Sequence, residues 1–345
     1  MASATTIGHT TYGKTKSGDE VLLYTFTNRN GMVMKVINFG AAITSINVPN
    51  AKGRLTDVVL GFDSIEGYES NPPYFGVTVG RVANRTEGGK FIIAGETYQL
   101  SINDSPRANH LHGGFKGFSK VVWKSEIKDD KVVLTYVSPD GEEGYPGQLT
   151  THCTYQLTDD NAVVINFNAT TTKSTPVNMC NHSYFNLSGK EKSSISDHSL
   201  MINADAYTPV KENLIPTGVL CPVQDTLFDF RHPVVIGDRL DDVGGFDHNF
   251  CLNSKQLSDC AARISHPSGL TMEVYTTKPG LQFYSANFLD GMVEGKNKLY
   301  YEKHGGLCLE TQNYPNAVNV PTFPEVVLHP GQVYAHTTIF KFLSN

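Results

Sequence analysis

The sequence predicts an all-β protein, mostly antiparallel, with few and short helices. Three observations carry this reading. Several segments alternate apolar and polar residues with period two, helical periodicity is scarce, and the turn formers, 31 Gly and 17 Pro, are spread along the chain. Period-two alternation is the pattern of a half-buried strand, and scattered turn residues favour many short elements over a few long helices.

In chain order, residues 131–137 come first, rich in β-branched side chains. Leu149, Thr151, Cys153, Tyr155 and Leu157 then share one face, with Thr150, His152, Thr154 and Gln156 on the other. Val163, Ile165, Phe167 and Ala169 alternate against Asn166 and Asn168. Residues 271–276, 281–288 and 337–343 are further strand candidates, each bounded by Gly, Pro, Asn or Asp. The best helical candidate is 233–243, with Ile236 and Leu240 four apart, and it is short. Long amphipathic helices do not separate the strands, so a βαβ architecture is disfavoured. Composition does not shift along the chain, and no linker, repeat or low-complexity stretch interrupts it. One domain over 1–345 is the economical reading, with sandwich and barrel inseparable by pattern alone.

The 28 Lys and Arg against 34 Asp and Glu leave a formal charge of −6 over 345 residues. That balance argues against a nucleic-acid binder, and 10% aromatic content argues against disorder. No window approaches the ~18 uninterrupted apolar residues of a membrane span, and the polar, Thr-rich start does not read as a secretory signal. The six cysteines are scattered without a C-x-x-C pair. They read as reduced thiols, mostly in the core, of a cytoplasmic protein.

Five segments carry candidate chemistry. In Asn109-His110-Leu111-His112-Gly113-Gly114, an extended backbone would point His110 and His112 the same way. The pair suits half of a metal site, a polar-ligand contact or a structural turn, but the Glu that a cupin-type site wants does not follow until Glu126. Asn178 to Leu187 interleaves polar and aromatic residues, the mixture a sugar site needs, since rings stack on C–H surfaces while Asn, Ser and His reach hydroxyls. Gly244-Gly245-Phe246-Asp247 offers a carboxylate for adjacent hydroxyls, or an aspartate capping its own turn. Glu310 follows an apolar run that reads as a buried strand. Desolvation there would raise its pKa above the ~4.3 reference, as suits a general base, with a structural ion pair as the alternative. In Gly80-Arg81-Val82-Ala83-Asn84-Arg85 the two arginines could contact a ligand or form structural ion pairs, and the glycine spacing is no dinucleotide fingerprint. No P-loop, G-x-S-x-G or H-E-x-x-H is present.

Taken together and in order, Gly80–Arg85, Leu111-His112-Gly113-Gly114, Thr175–Asn178 running into Asn181–Leu187, Gly245–Phe250 and Leu309–Asn313 resemble the aldose 1-epimerase (galactose mutarotase) family, closest to its cytosolic eukaryotic members. The resemblance spans essentially the whole chain and includes Ser138–Gly147. It implies a large antiparallel β supersandwich with few short helices and a site in an open cleft. At matching positions it implies Glu310 as general base and His182 as general acid. It also implies Asn84, Arg85, His112 and Asp247 on the sugar hydroxyls, with Tyr184 and Gln282 nearby. Small departures are His110 before Leu111 and Tyr314 where relatives often carry Trp.

The implied activity is interconversion of the α and β anomers of free hexoses, galactose or glucose. That chemistry moves protons only, so no cofactor and no metal is expected. The expected partner is a small aldohexose, with no nucleic acid and no membrane. No coiled coil or sticky strand is legible, so a monomer or weak dimer is expected. The rivals are a hexose-6-phosphate epimerase, for which Arg81, Lys90 or Arg107 would have to supply a phosphate pocket, and a non-catalytic sugar-binding protein. A glycoside hydrolase needs two carboxyls astride the bond and fits a Glu/His pair poorly.

Overall fold

The computed structural model describes residues 5–50, 52–189, 194–253 and 256–344. Every named strand pair within them is antiparallel, as the period-two segments predict. Three large sheets form the frame. The first is a five-stranded meander of Thr6–Lys14, Glu20–Thr27, Val33–Ile37, Ala42–Pro49 and Leu55–Asp57. The second has nine strands, with Lys124–Lys128, Lys131–Ser138, Leu149–Leu157 and Ala162–Thr171 following one another as hairpins. The late strand Tyr334–Ser344 then inserts between Ala162–Thr171 and Leu270–Thr276, so the C-terminal region closes the centre of this sheet. The third sheet orders Cys221–Pro222, Ala204–Thr208, Asp247–Leu252, Gly280–Tyr284 and Cys308–Gln312.

Alternation decides which faces meet. Leu149, Thr151, Cys153, Tyr155 and Leu157 are buried while the residues between them are half-buried or exposed. Their apolar members share one core with Phe26, Met34 and Ile46 of the first sheet and Leu281, Phe283 and Leu309 of the third. Two α-helices are present among the described residues, Ile65–Ser70 and Gly237–Val243. The predicted helix over 233–243 is only half right, because Val234–Val235 pairs as a strand with Ser199–Leu200 before the helix begins. Two β-branched residues in succession take the extended form when a strand edge is available. The predicted strand over 281–288 ends at Tyr284, and the remainder turns away as a loop over the cavity described below.

Candidate active site

Asp247–Leu252, Gly280–Tyr284 and Cys308–Gln312 are neighbours in the third sheet, with Asn249 opposite Gln282 and Gln282 opposite Glu310. Directly opposed residues share a face, as do alternate residues along a strand. Asp247, Gln282, Tyr284, Cys308 and Glu310 therefore stand on one side, while Phe250, Leu281, Phe283 and Leu309 enter the core on the other. The apolar alternates anchor the sheet, and Asp247, Tyr284 and Glu310 face a cavity.

His182 arrives from a different quarter. Cys180–Asn181 pairs with Thr78–Val79, and the ladder continues as the His182 N–H donates to Val77 O at 2.8 Å. This sets His182 Nε2 at 3.6 Å from Glu310 Oε1, with both side chains buried. The rings of Tyr74 and Tyr184 lie nearly parallel to the imidazole, at centroid distances of 6.0 and 5.3 Å. Tyr184 is itself fixed by donating its hydroxyl to Pro73 O at 2.9 Å.

The H-x-H segment does not behave as an extended strand would require. His112 has φ +52° and the following glycines have φ +88° and +101°, so the chain turns sharply and the two imidazoles part. A Cβ on Gly113 would lie 1.7 Å from Gly80 O, which explains glycine there. His110 is wholly buried between Ser101 O, at 2.7 Å from Nδ1, and the Tyr145 hydroxyl, at 2.8 Å from Nε2. His112 instead reaches the cavity, its Nδ1 accepting the Asn84 backbone N–H at 3.1 Å.

The two arginines also separate. Arg81 is enclosed and donates to Ser138 Oγ, Pro139 O and Pro146 O, a structural role. Arg85 lines the cavity, donates from Nε to Asp104 Oδ2 at 2.8 Å, and holds Nη1 3.8 Å from Asp247 Oδ2. Gln282 donates to Asp247 Oδ1 at 2.7 Å and stands behind it, outside the cavity wall. Asp247 therefore opens its strand gripped from two sides, where a self-capping turn was the alternative. Of the eight residues singled out by resemblance, seven line one cavity of about 340 Å³. A larger cleft of about 540 Å³ runs along the first sheet past Lys35, Asn47 and Lys296, and it contains none of these residues.

Sequence reasoning missed the opposite wall. Pro72, Pro73, Tyr74, Phe288, Leu289 and Val293 cover the cavity with apolar surface, and exposed Asp290 sits beside them. The Pro72-Pro73-Tyr74 run was a legible loop signal. Phe288 read as the end of a strand and gave none.

Burial dominates the electrostatics. It pushes the Glu310 carboxyl up to about 8, reinforced by the Asp247 charge and opposed by the Cys180 thiol and Arg85. It pushes His182 down to about 4. It also drives His112 well below the ordinary histidine value, with His182 and Arg85 adding to the effect. Both central groups are thus biased toward their neutral forms. Two thiols back them: Cys180 Sγ donates to Glu310 Oε2 at 3.5 Å, and Cys308 Sγ lies 3.6 Å from His182 Nδ1.

Two side-chain groups among the described residues bring three possible metal donors within 4.8 Å of one another. In His112, His182 and Glu310, the Asn84 N–H occupies His112 Nδ1, so the neutral ring carries its proton on Nε2 where a metal would need a lone pair. In Asp197, His198 and His266, backbone N–H groups of Leu187 and Ser268 occupy His198 Nε2 and His266 Nδ1, each at 3.0 Å. The remaining ring protons then face Asp197 at 3.2 and 3.3 Å. In both groups a backbone N–H therefore already occupies a ring nitrogen.

The chain matches the family model for aldose 1-epimerase over residues 22–341. It is 50% identical over 339 residues to galactose mutarotase of Mus musculus, covering 97% of this chain and 98% of that one. It is 39% identical over 338 residues to aldose 1-epimerase of Escherichia coli, covering 95% and 96%. Its fold matches the crystal structure of galactose 1-epimerase from Lactobacillus acidophilus with a TM-score of 0.84 at 30% identity, over 99% of each chain. The protein belongs to the aldose 1-epimerase family.

Proposed function

We propose that this protein is an aldose 1-epimerase, an isomerase that interconverts the α and β anomers of free hexoses such as galactose and glucose. One observation carries the reading. A carboxyl and an imidazole 3.6 Å apart, one pushed up to about 8 and the other down to about 4 by burial, share a small cavity with hydroxyl-binding side chains. The relatives' names support the same reaction.

Anomer exchange requires the pyranose to open and reclose. A proton leaves the C1 hydroxyl while another reaches the ring oxygen, and both oxygens are bonded to C1. The base and the acid must therefore stand close together, as Glu310 and His182 do. In our assignment Glu310 takes the hydroxyl proton as protonated His182 gives one to the ring oxygen. The sugar stays neutral, and the pair passes from carboxylate and imidazolium to carboxylic acid and imidazole. The buried site disfavours the charged arrangement, so the pair reaches it only when the proton of Glu310 passes to His182, and opening the ring then returns the pair to its neutral form. Rotation about C1–C2 and the reverse transfers close the other anomer. A positioned proton donor or acceptor typically contributes about 10²–10⁴-fold.

Arg85, Asp247, Asn84 and His112 are assigned to the hydroxyls away from C1, which leaves C1 free to turn. Gln282 acts through Asp247, and Tyr184 braces His182. The match over 22–341 supports a single catalytic unit spanning the chain. Six free cysteines suit a cytoplasmic setting, and among the described residues no helix is long and apolar enough to cross a membrane.

Polarimetry on freshly dissolved α-D-galactose and α-D-glucose, with and without chelator, tests the proposal. Faster approach to the same final rotation, unchanged by chelator, is expected. No acceleration over the spontaneous rate rejects the epimerase reading, and loss of activity with chelator rejects the metal-free mechanism.

A further inference from the structure

Glu310 is enclosed, and its two carboxyl oxygens have different neighbours. Oε1 faces His182 Nε2 at 3.6 Å, and Oε2 accepts from the Cys180 thiol at 3.5 Å. Among the described residues no other group hydrogen-bonds this carboxyl. Asp104 shows what a buried carboxylate in this protein otherwise looks like. It accepts from Arg85 Nε, Arg107 Nη1 and Asn109 Nδ2 at 2.8, 3.2 and 3.3 Å. Burial opposes its charge, yet these N–H donors, Arg85 foremost, hold it below the ordinary aspartate value.

We propose that Cys180 is a positioning residue for the base, its thiol aiming the Glu310 carboxyl through a hydrogen bond weak enough to leave that carboxyl ready to take a proton. This rests on Glu310 being the base. A thiol is a poor donor, so it orients the oxygen without stabilising the anion as an N–H or O–H would. Cys180 is well suited to the task by its placement. It is wholly buried in the short strand paired to Thr78–Val79, two residues before His182, so one stretch of backbone sets both the acid and the support of the base. The neighbouring Met179 is fixed by its N–H donating to the Tyr334 hydroxyl at 3.1 Å. Burial and the Glu310 charge hold the Cys180 thiol well above its ordinary value, so it remains a protonated donor throughout the working range.

The test compares the wild type with Cys180→Ser and Cys180→Ala. Two quantities are followed against pH: kcat/KM by polarimetry, and the Glu310 side-chain carbon by ¹³C NMR, assigned by its loss in Glu310→Gln. A serine hydroxyl donates more strongly, so the Glu310 titration and the alkaline limb should move down by about one pH unit. Alanine donates nothing, so both should move up by roughly half a unit, and kcat should fall several-fold with KM little changed because the carboxyl is no longer aimed. A purely structural cysteine would move melting temperature or KM and leave the titration in place. Wild-type titration in both variants overturns the proposal, and if serine does not fold, alanine decides it alone. An inactive wild type would reject the epimerase reading, while the NMR titration would still report on the thiol contact.

Discussion

Glu310 Oε1 lies 3.6 Å from His182 Nε2 with both side chains buried, so the protons of the two side chains belong to the pair. With the carboxyl raised to about 8 and the imidazole lowered to about 4, the pair holds two protons below about 4, one between, and none above about 8. The proposed mechanism needs one. The expected profile of kcat/KM is therefore a bell with limbs near those values, since this ratio reports the free enzyme. A rate that keeps climbing past pH 9 would instead mean that ionised Glu310 works with a neutral imidazole.

Removing either partner isolates its share. Glu310→Gln and His182→Asn should each lower turnover by about 10²-fold or more, with near-ultraviolet circular dichroism unchanged. Glu310→Gln should also abolish the limb near 8. Stability gives an independent readout. Because the folded pKa of Glu310 lies above its unfolded value, the native state binds the extra proton between about 4.5 and about 8 and loses stability as pH rises through that window. The glutamine variant has no such proton to lose. Its melting temperature relative to wild type should be more favourable at pH 9 than at pH 5, and equal differences at the two values would contradict a desolvated Glu310.

The strands, and the residues whose role follows from their own strand, were legible in the sequence. Glu310 illustrates this, since burial on both sides of Cys308–Gln312 is readable from an apolar run and its consequence for a carboxyl follows from desolvation alone. What depends on two distant segments meeting was not legible. His110 and His112 look equivalent until a left-handed turn at His112 separates them. Arg81 and Arg85 look equivalent until five carbonyl and hydroxyl oxygens enclose the first and Asp104 and Asp247 face the second. Cys180 read as core, and its contact with Glu310 exists only because a two-residue strand passes beside the third sheet. The site residues named by resemblance converge on one cavity, Gln282 excepted.

Gln282 yields a prediction that separates support from contact. It donates to Asp247 at 2.7 Å and in turn accepts from Gln312 Nε2 at 3.3 Å, a row of amides behind the carboxylate. Removing it should weaken sugar binding through Asp247. Gln282→Ala should raise KM several-fold with a smaller effect on kcat, and Asp247→Ala should raise KM further. Members of one network couple, so the double variant should cost little more than Asp247→Ala alone. Additive losses would show that Gln282 contacts the sugar directly.

The cavity's charges decide between free and phosphorylated hexoses. Arg85 is the cation among the lining residues, and Asp104 and Asp247 already face its guanidinium. Arg81, one of the residues that could have served a phosphate, is sealed among backbone oxygens. Arg107 is paired with Asp104 at 3.2 Å and lies over the Phe288 ring at 5.1 Å. Asp247, Glu310 and Asp290 line the same space. A phosphate dianion would meet these carboxyl groups and no uncommitted cation among the lining residues, a juxtaposition that costs several kcal/mol. Galactose 6-phosphate and glucose 6-phosphate should therefore show kcat/KM at least about 10²-fold below the free sugars, each 1.4 kcal/mol being a tenfold factor. Anomer exchange in mixtures of the free and phosphorylated sugars can be followed by NMR. Comparable rates for the two would mean that Arg85 or Arg107 leaves its carboxylate when the phosphate arrives. In that case salt should depress the rate for the phosphorylated sugar and leave the free hexose unaffected.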